Sequence, residues 1–194
     1  MSIGAAILAG GKSSRMRGQS KADLIISEKS VIEHIYNEIA SFDEIIISYN
    51  GHDKYENMGI VIMDTYQNCG PIGGLYSVLK NCRSDKLFII ACDMPLVKNK
   101  SIHMFCNLYN DKYDGAVLID QRGQLQPLFG IYKKKLYEYF EDRIKEKDYS
   151  VKKAVEELKF QYIDSEAISA DDNEFFNMNT PEDYFKLSGY MIWK

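Results

Sequence analysis

The stretch AAILAGGKSSRMRGQSKADL, residues 5–24, runs from an apolar segment straight into a loop dense in glycine, serine, lysine and arginine. At its centre, Gly11-Lys12-Ser13 matches the last letters of a P-loop. The full motif G-x-x-x-x-G-K-S would place its first glycine where this chain has Ala6, inside the apolar run, leaving no room for the turn that wraps phosphates. The dinucleotide fingerprint G-x-G-x-x-G fails as well, because Gly10-Gly11 is followed only by Gly18. The later run LFIIACD, residues 87–93, looks like the strand that accompanies a P-loop, but it does not restore the broken spacing. The stretch therefore reads as a buried strand over residues 5–8 followed by a different kind of phosphate loop. Its glycines let backbone N–H groups approach phosphate oxygens, and Lys12, Arg15, Arg17 and Lys21 supply neutralising charge.

Short apolar runs alternate with helical patterns through the rest of the first half. Ser30 and Glu33 have capping-box spacing, and Ile32, Ile35, Tyr36 and Ile39 then share one helical face. Residues 44–49 (EIIISY) and 60–63 read as buried strands, the second ending at Asp64. A helix follows Gly70-Pro71, with Leu75, Val78 and Leu79 on one face, and residues 87–91 form a strand ending at Asp93. Ser101 is placed to cap a helix whose face is Ile102, Phe105, Cys106 and Tyr109. The second half is less regular, with strands over 116–119, 128–132 and 160–163 and helices over 136–144 and 151–158. Thr180-Pro181-Glu182-Asp183 supplies a cap, a proline at the first helical position and acids in the first turn. The alternation predicts an α/β fold, a mostly parallel sheet with helices on both faces. With 194 residues and neither repeat nor linker, one domain is expected.

Composition narrows the function classes. Apolar residues make up 45% and charged residues 27%, ordinary values for a globular protein. A net charge of −4 argues against a nucleic-acid partner. No apolar stretch is long enough to cross a bilayer, and the first apolar run stops at Leu8, before a signal segment could form, so a cytoplasmic protein without a membrane partner is expected. Cys69, Cys82, Cys92 and Cys106 form no C-x-x-C pair, and His34, His52 and His103 do not cluster with them, so reduced, partly buried thiols are expected.

In open α/β sheets, ligands bind at the carboxyl ends of strands. The glycine-rich loop, Asp64 and Asp93 each follow an apolar strand, so all three are expected on one edge. An aspartate facing a triphosphate suits Mg²⁺, which takes few carboxylates and shares phosphate oxygens. Taken singly, the loop reads more readily as a polar connection and Asp93 as a helix cap. Together at one edge they argue for a site.

The motifs also come in a familiar order. Leu8-Ala9-Gly10-Gly11, Ser14-Arg15-Met16 and Lys21-Ala22 resemble the opening signature of the molybdenum cofactor guanylyltransferase family. Asn50-Gly51, Asp64, Gly70-Pro71-Ile72-Gly73-Gly74, Ala91-Cys92-Asp93-Met94-Pro95, Gln126-Pro127-Leu128 and Asn177-Met178-Asn179-Thr180-Pro181 follow in the family's order. The resemblance implies a single-domain, Rossmann-like three-layer sandwich of the nucleotide-diphospho-sugar transferase type. It divides the chain into a GTP-binding part of about residues 1–100 and a cofactor-binding part of about residues 101–194. It implies that Leu8, Ala9, Gly10, Gly11, Lys21, Asn50, Asp64, Gly73 and Asp93 contact GTP, that Asp93 holds Mg²⁺, and that Arg15, Lys21 and Asp93 carry catalysis. Gln126, Asn177 and Asn179 would face the pterin, their amides matching a ring rich in donors and acceptors; as a plainer alternative, Asn179-Thr180 serves only as a helix cap. Two positions depart from the family pattern, which has glycine after the Arg-Met pair and aspartate before the lysine; this chain has Arg17 and Ser20.

The implied reaction is GMP transfer from GTP to molybdopterin or the molybdenum cofactor with release of pyrophosphate, by positioning and charge neutralisation without a protein nucleophile. Molybdoenzymes or cofactor-delivery proteins are the implied protein partners. Guanylyl members of the family carry Leu-Ala-Gly-Gly where cytidylyl relatives tend to carry Ala-Gly, which favours GTP over CTP. The glycines of Gly10-Gly11 and Gly73-Gly74 would let backbone groups approach the base edge. Other readings stay open: a related transferase using CTP or a sugar-phosphate or alcohol acceptor, and a nucleotide-binding regulator without catalysis.

Overall fold

The computed structural model describes residues 2–10, 20–51 and 54–192. Its elements in chain order are β1 (Ile3–Leu8), a small hairpin of β2 (Ile25–Ile26) and β3 (Lys29–Ser30), α1 (Val31–Ile39), β4 (Ile45–Ser48), β5 (Ile60–Ile62), α2 (Pro71–Asn81) and β6 (Lys86–Ala91). There follow α3 (Asn99–Leu108), β7 (Gly115–Ile119), β8 (Leu125–Lys133), α4 (Leu136–Lys145), α5 (Val151–Glu157), β9 (Phe160–Asp164) and α6 (Pro181–Ile192). Seven strands make one sheet in the order β5-β4-β1-β6-β8-β7-β9. All neighbours are parallel except where β8 runs antiparallel to β6 and β7. The expected mostly parallel α/β architecture is present.

Side chains alternate between the two faces of this sheet, and each face has its own core. Ala5, Ile7, Phe88 and Ile90 pack with Ile32 and Ile35 of α1, Phe105 of α3 and Leu187 of α6. Ala6, Leu8, Leu87 and Ile89 turn the other way, onto Leu75 and Leu79 of α2, Phe140 of α4 and Val155 of α5. Both faces are covered, which is why strands β1 and β6 read as unbroken apolar runs rather than alternating ones. Ala6 lies fully buried within β1, as the argument against a P-loop requires. Edge-to-face contacts of Phe88, Phe105 and Phe129, with centroids 5.0–6.1 Å apart, fill the first core.

The capping box is formed: Ser30 Oγ accepts from the Glu33 N–H at 3.3 Å, and the Glu33 carboxylate accepts from the Ser30 N–H at 2.6 Å. Ser101 does not cap α3. The helix begins a turn earlier, with Lys98 at the cap position, and Ser101 is buried inside it. Asn99 explains the early start, since its N–H and side-chain amide donate to the carboxylate and carbonyl of Glu38 at 2.7 and 2.8 Å. Asp93 likewise caps no helix, because a turn separates it from α3. No described helix is long and apolar enough to cross a membrane. Ser30→Ala should lower unfolding stability by about 1 kcal/mol, measured by urea denaturation, through loss of the α1 cap; an unchanged midpoint would show that packing alone holds the helix start.

Candidate active site

Leu8 stands in register with Ser48 of β4 on one side and Ala91 of β6 on the other. The chain therefore leaves the sheet at three adjacent points, into Ala9-Gly10, Tyr49-Asn50 and Cys92-Asp93, and Asp64 joins them just past β5. A cleft of about 200 Å³ opens over this edge, with Gly10, Lys21, Ser48, Asp64, Gly74 and Asp93 among its walls.

The two aspartates differ in kind. Asp64 has both oxygens occupied, Oδ1 accepting from Ser48 Oγ at 2.6 Å and Oδ2 from Asn50 Nδ2 at 2.8 Å. Asn50 Oδ1 accepts in return from the Asp64 N–H at 2.8 Å, so the pair is locked reciprocally. A side chain on Gly10 would come within 3.2 Å of Asn50 Nδ2, and one on Gly74 within 3.0 Å of Ser48 Oγ. These two glycines let the loop and α2 close around the lock.

Asp93 has no such partners. Its Oδ1 is shielded from solvent yet receives no hydrogen bond among the described residues. Burial pushes its carboxyl above the usual carboxylate range, with Lys21 and its own backbone N–H opposing. A shielded carboxylate oxygen without a donor is suited to a hard cation. The described residues contain no cluster of three or more His, Cys, Asp or Glu that would cage one.

Lys21 sits in a short 3-10 turn, Lys21–Asp23, and its Nζ donates to Asn179 Oδ1 at 2.9 Å across 158 residues of sequence. Asn179 is fixed in turn by the start of α6, where Asp183 Oδ2 accepts from the N–H groups of Asn179 and Thr180 at 3.0 and 2.9 Å. Thr180 Oγ1 accepts from the Asp183 N–H at 3.1 Å. The capping role and the contact with Lys21 thus coexist. The segment is also tied to the cleft by the Met178 N–H, which donates to the Asp93 carbonyl at 2.8 Å.

A second, more polar recess of about 530 Å³ adjoins through Asn179, and Gln126 and Asn177 line it too. There Asn177 Nδ2 donates to Gln126 Oε1 at 3.1 Å, and Gln126 Nε2 to Asp120 Oδ2 at 2.9 Å. The structure thus gathers Leu8, Ala9, Gly10, Lys21, Asp64 and Asp93 around one cleft, with Asn50 behind it, and Gln126, Asn177 and Asn179 around the other. Gly73 is not on the cleft wall; a side chain there would meet the Tyr66 carbonyl at 2.5 Å, so its smallness serves the packing of α2, and it is the neighbouring Gly74, also buried, that lines the cleft. Gly11, Lys12 and Arg15 lie outside the described residues. Sequence reading did not single out Ser48, which lines the first cleft, or Asp120 and Arg122, which line the second. Ser48 ends an isoleucine strand at the ligand edge, which was a usable signal; Asp120 and Arg122 lie in an ordinary-looking turn. All four cysteines are free thiols, and burial pushes that of Cys92, beside Asp93, up to about 12.

Fold and cleft together define an α/β protein of the nucleotidyltransferase type. The chain belongs to the MobA-like NTP transferase family, whose domain matches residues 5–161. It is similar to the "Probable molybdenum cofactor guanylyltransferase" of Clostridium perfringens, at 35% identity over 94% of both chains. It is 31% identical to the molybdenum cofactor guanylyltransferase of Vibrio campbellii, over 91% of this chain and 90% of that one. Among solved structures, molybdopterin-guanine dinucleotide biosynthesis protein A of Archaeoglobus fulgidus superposes with a TM-score of 0.83 at 21% identity, covering 100% of both chains.

The raised pKa of Asp93 has a consequence for stability. The folded chain holds the Asp93 proton more tightly than the unfolded one does, so this group's stabilising contribution is present at low pH and lost as pH rises through its folded-state pKa. Asp93→Asn, an uncharged mimic, should therefore raise the thermal midpoint in EDTA at pH 8, with the gain shrinking toward pH 4. A midpoint that falls at pH 8 would contradict the burial argument.

Proposed function

We propose that this chain transfers GMP from GTP to the terminal phosphate of molybdopterin or the molybdenum cofactor, releasing pyrophosphate. The observation that carries the reading is the Lys21–Asn179 hydrogen bond. It joins the cleft of the phosphate loop to the polar recess at the point where an acceptor phosphate and a nucleotide α-phosphate would meet. The family and the full-length relatives support the substrate pair.

In this mechanism the nucleotide part is about residues 1–100 and the acceptor part about residues 101–194, with Gln126, Asn177 and Asn179 facing the pterin. Leu8, Ala9, Gly10 and Gly11 place backbone groups against the nucleotide, and Asn50 holds Asp64 toward it. An acceptor phosphate oxygen attacks the α-phosphorus, the new P–O bond forms, and pyrophosphate leaves with the electron pair of the broken bond. Lys21 and Arg15 stabilise the charge that develops on the phosphate oxygens. Asp93 would hold Mg²⁺, which when bound supplies Lewis-acid neutralisation of those oxygens. The shielding of Asp93 Oδ1 limits competition by water for that oxygen.

Pyrophosphate release measured across the four nucleoside triphosphates, with molybdopterin and Mg²⁺, tests the reading. kcat/KM should be highest for GTP, because unmatched polar groups in a closed pocket cost more than lost apolar contact. Equal values, or a preference for CTP, would refute the base assignment; nucleotide binding without release would favour the regulator. Asp93→Asn should lower turnover on the order of a thousandfold, and near-normal rates at saturating Mg²⁺ would remove Asp93 from the metal role. Lys21→Ala should lower kcat/KM roughly ten- to a hundredfold while Lys12→Ala stays mild, and the reverse ranking would revive a P-loop.

A further inference from the structure

Ser20, where the family has an aspartate, contributes no side-chain hydrogen bond to the turn that carries Lys21. Another carboxylate on the same turn is engaged instead. Asp23 Oδ2 accepts from Lys54 Nζ at 2.8 Å, and Asp23 Oδ1 accepts from the Tyr55 hydroxyl. Both donors come from the segment following β4 and Asn50, 31 and 32 residues further along the chain. Tyr55 is held in the left-handed region at φ 69°, a conformation that a bulky residue adopts only when its surroundings impose it. Its ring meets Tyr49 edge-on, centroids 4.9 Å apart, and Tyr49 directly precedes Asn50.

The contacts form a chain from Lys21's turn through Asp23 and Tyr55 to Tyr49, and on to the Asn50–Asp64 lock. On the other side the same region is tied to the C-terminal helix, where the Tyr184 hydroxyl donates to the Ile25 carbonyl at 2.7 Å. Lys21 itself gains no bond from Asp23; its Nζ reaches Asn179. We propose that Asp23 is a positioning residue for Lys21, clamping the lysine's turn to the segment after β4 so that the ammonium stands over the nucleotide cleft. The proposal rests on the transferase reading and adds to it a residue outside the family's motifs. Burial works against the Asp23 carboxylate's charge, and the Lys54 and Tyr55 contacts outweigh it, holding the group below the usual carboxylate range. The Tyr55 phenol is driven upward by burial and by Asp23, so it stays protonated as a donor.

A merely structural clamp and one that acts through Lys21 differ in a double-mutant cycle on the full chain. Asp23→Ala should lower kcat/KM for GTP about tenfold, and in a Lys21→Ala background its further effect should be less than about twofold. Losses that multiply in full would overturn the proposal. Asp23→Asn, which keeps an acceptor for Tyr55 but drops the charge toward Lys54, should recover part of the loss, and serves where the alanine variant folds poorly. Amide hydrogen exchange decides the clamp independently of substrate. In Asp23→Ala, residues 21–26 and 54–58 should exchange about tenfold faster together, and unchanged exchange in either segment would overturn it. A wild-type chain that releases no pyrophosphate from GTP would defeat the transferase reading, while the exchange result would still stand for or against the clamp.

Discussion

Strand β1 is the constraint on which the site rests. It is paired in register to β4 and β6 at once, so three chain exits are brought side by side by backbone hydrogen bonds alone. Because β1 and β6 are buried on both faces, slipping either by one residue would exchange the two cores, putting Ala5 and Ile7 where Ala6 and Leu8 belong. Register is therefore fixed by the whole hydrophobic interior. The position of Asp93 relative to Gly10 and Asn50 inherits that precision without any dedicated contact between them.

Within that frame, two aspartates at one sheet edge are given opposite environments. Asp64 spends its oxygens on Ser48 and Asn50, so it is an oriented group rather than an available one. Asp93 is shielded with an oxygen left over. Leaving a buried acceptor unpaired costs roughly 1–3 kcal/mol, a cost natural folds tolerate where a ligand will supply the missing partner. In the proposed reaction this contrast favours Asp93 over Asp64 as the carboxylate that would face a cation.

Much of the architecture was legible because it is written in local signals. Isoleucine-rich runs gave the strands, Ser30 with Glu33 gave the start of α1, and Pro71 gave the start of α2. What escaped depends on contacts distant in sequence or on backbone forms that propensity hides. The β2–β3 hairpin turns through Ser27 and Glu28, both at positive φ without a glycine to announce it. The early start of α3 depends on Glu38, and the difference between Gly73 and Gly74 depends on where the Tyr66 carbonyl lies. Motif order found several of the cleft's members. It did not rank them, because burial and hydrogen-bond occupancy are properties of the assembled edge.

Lys21 shows how the two halves become one site. Its turn belongs to the first half, yet its ammonium is bonded to Asn179 near the end of the chain, and Asn179 is held by a helix cap. An ammonium carries three N–H donors, so Lys21 can bind a phosphate entering the cleft without giving up its bond to Asn179. Asn179, which accepts that bond, also lines the second recess. One side-chain hydrogen bond, made across 158 residues of sequence, thus ties the wall of the first cleft to the wall of the second, and the sheet beneath needs no contact of its own to hold them together.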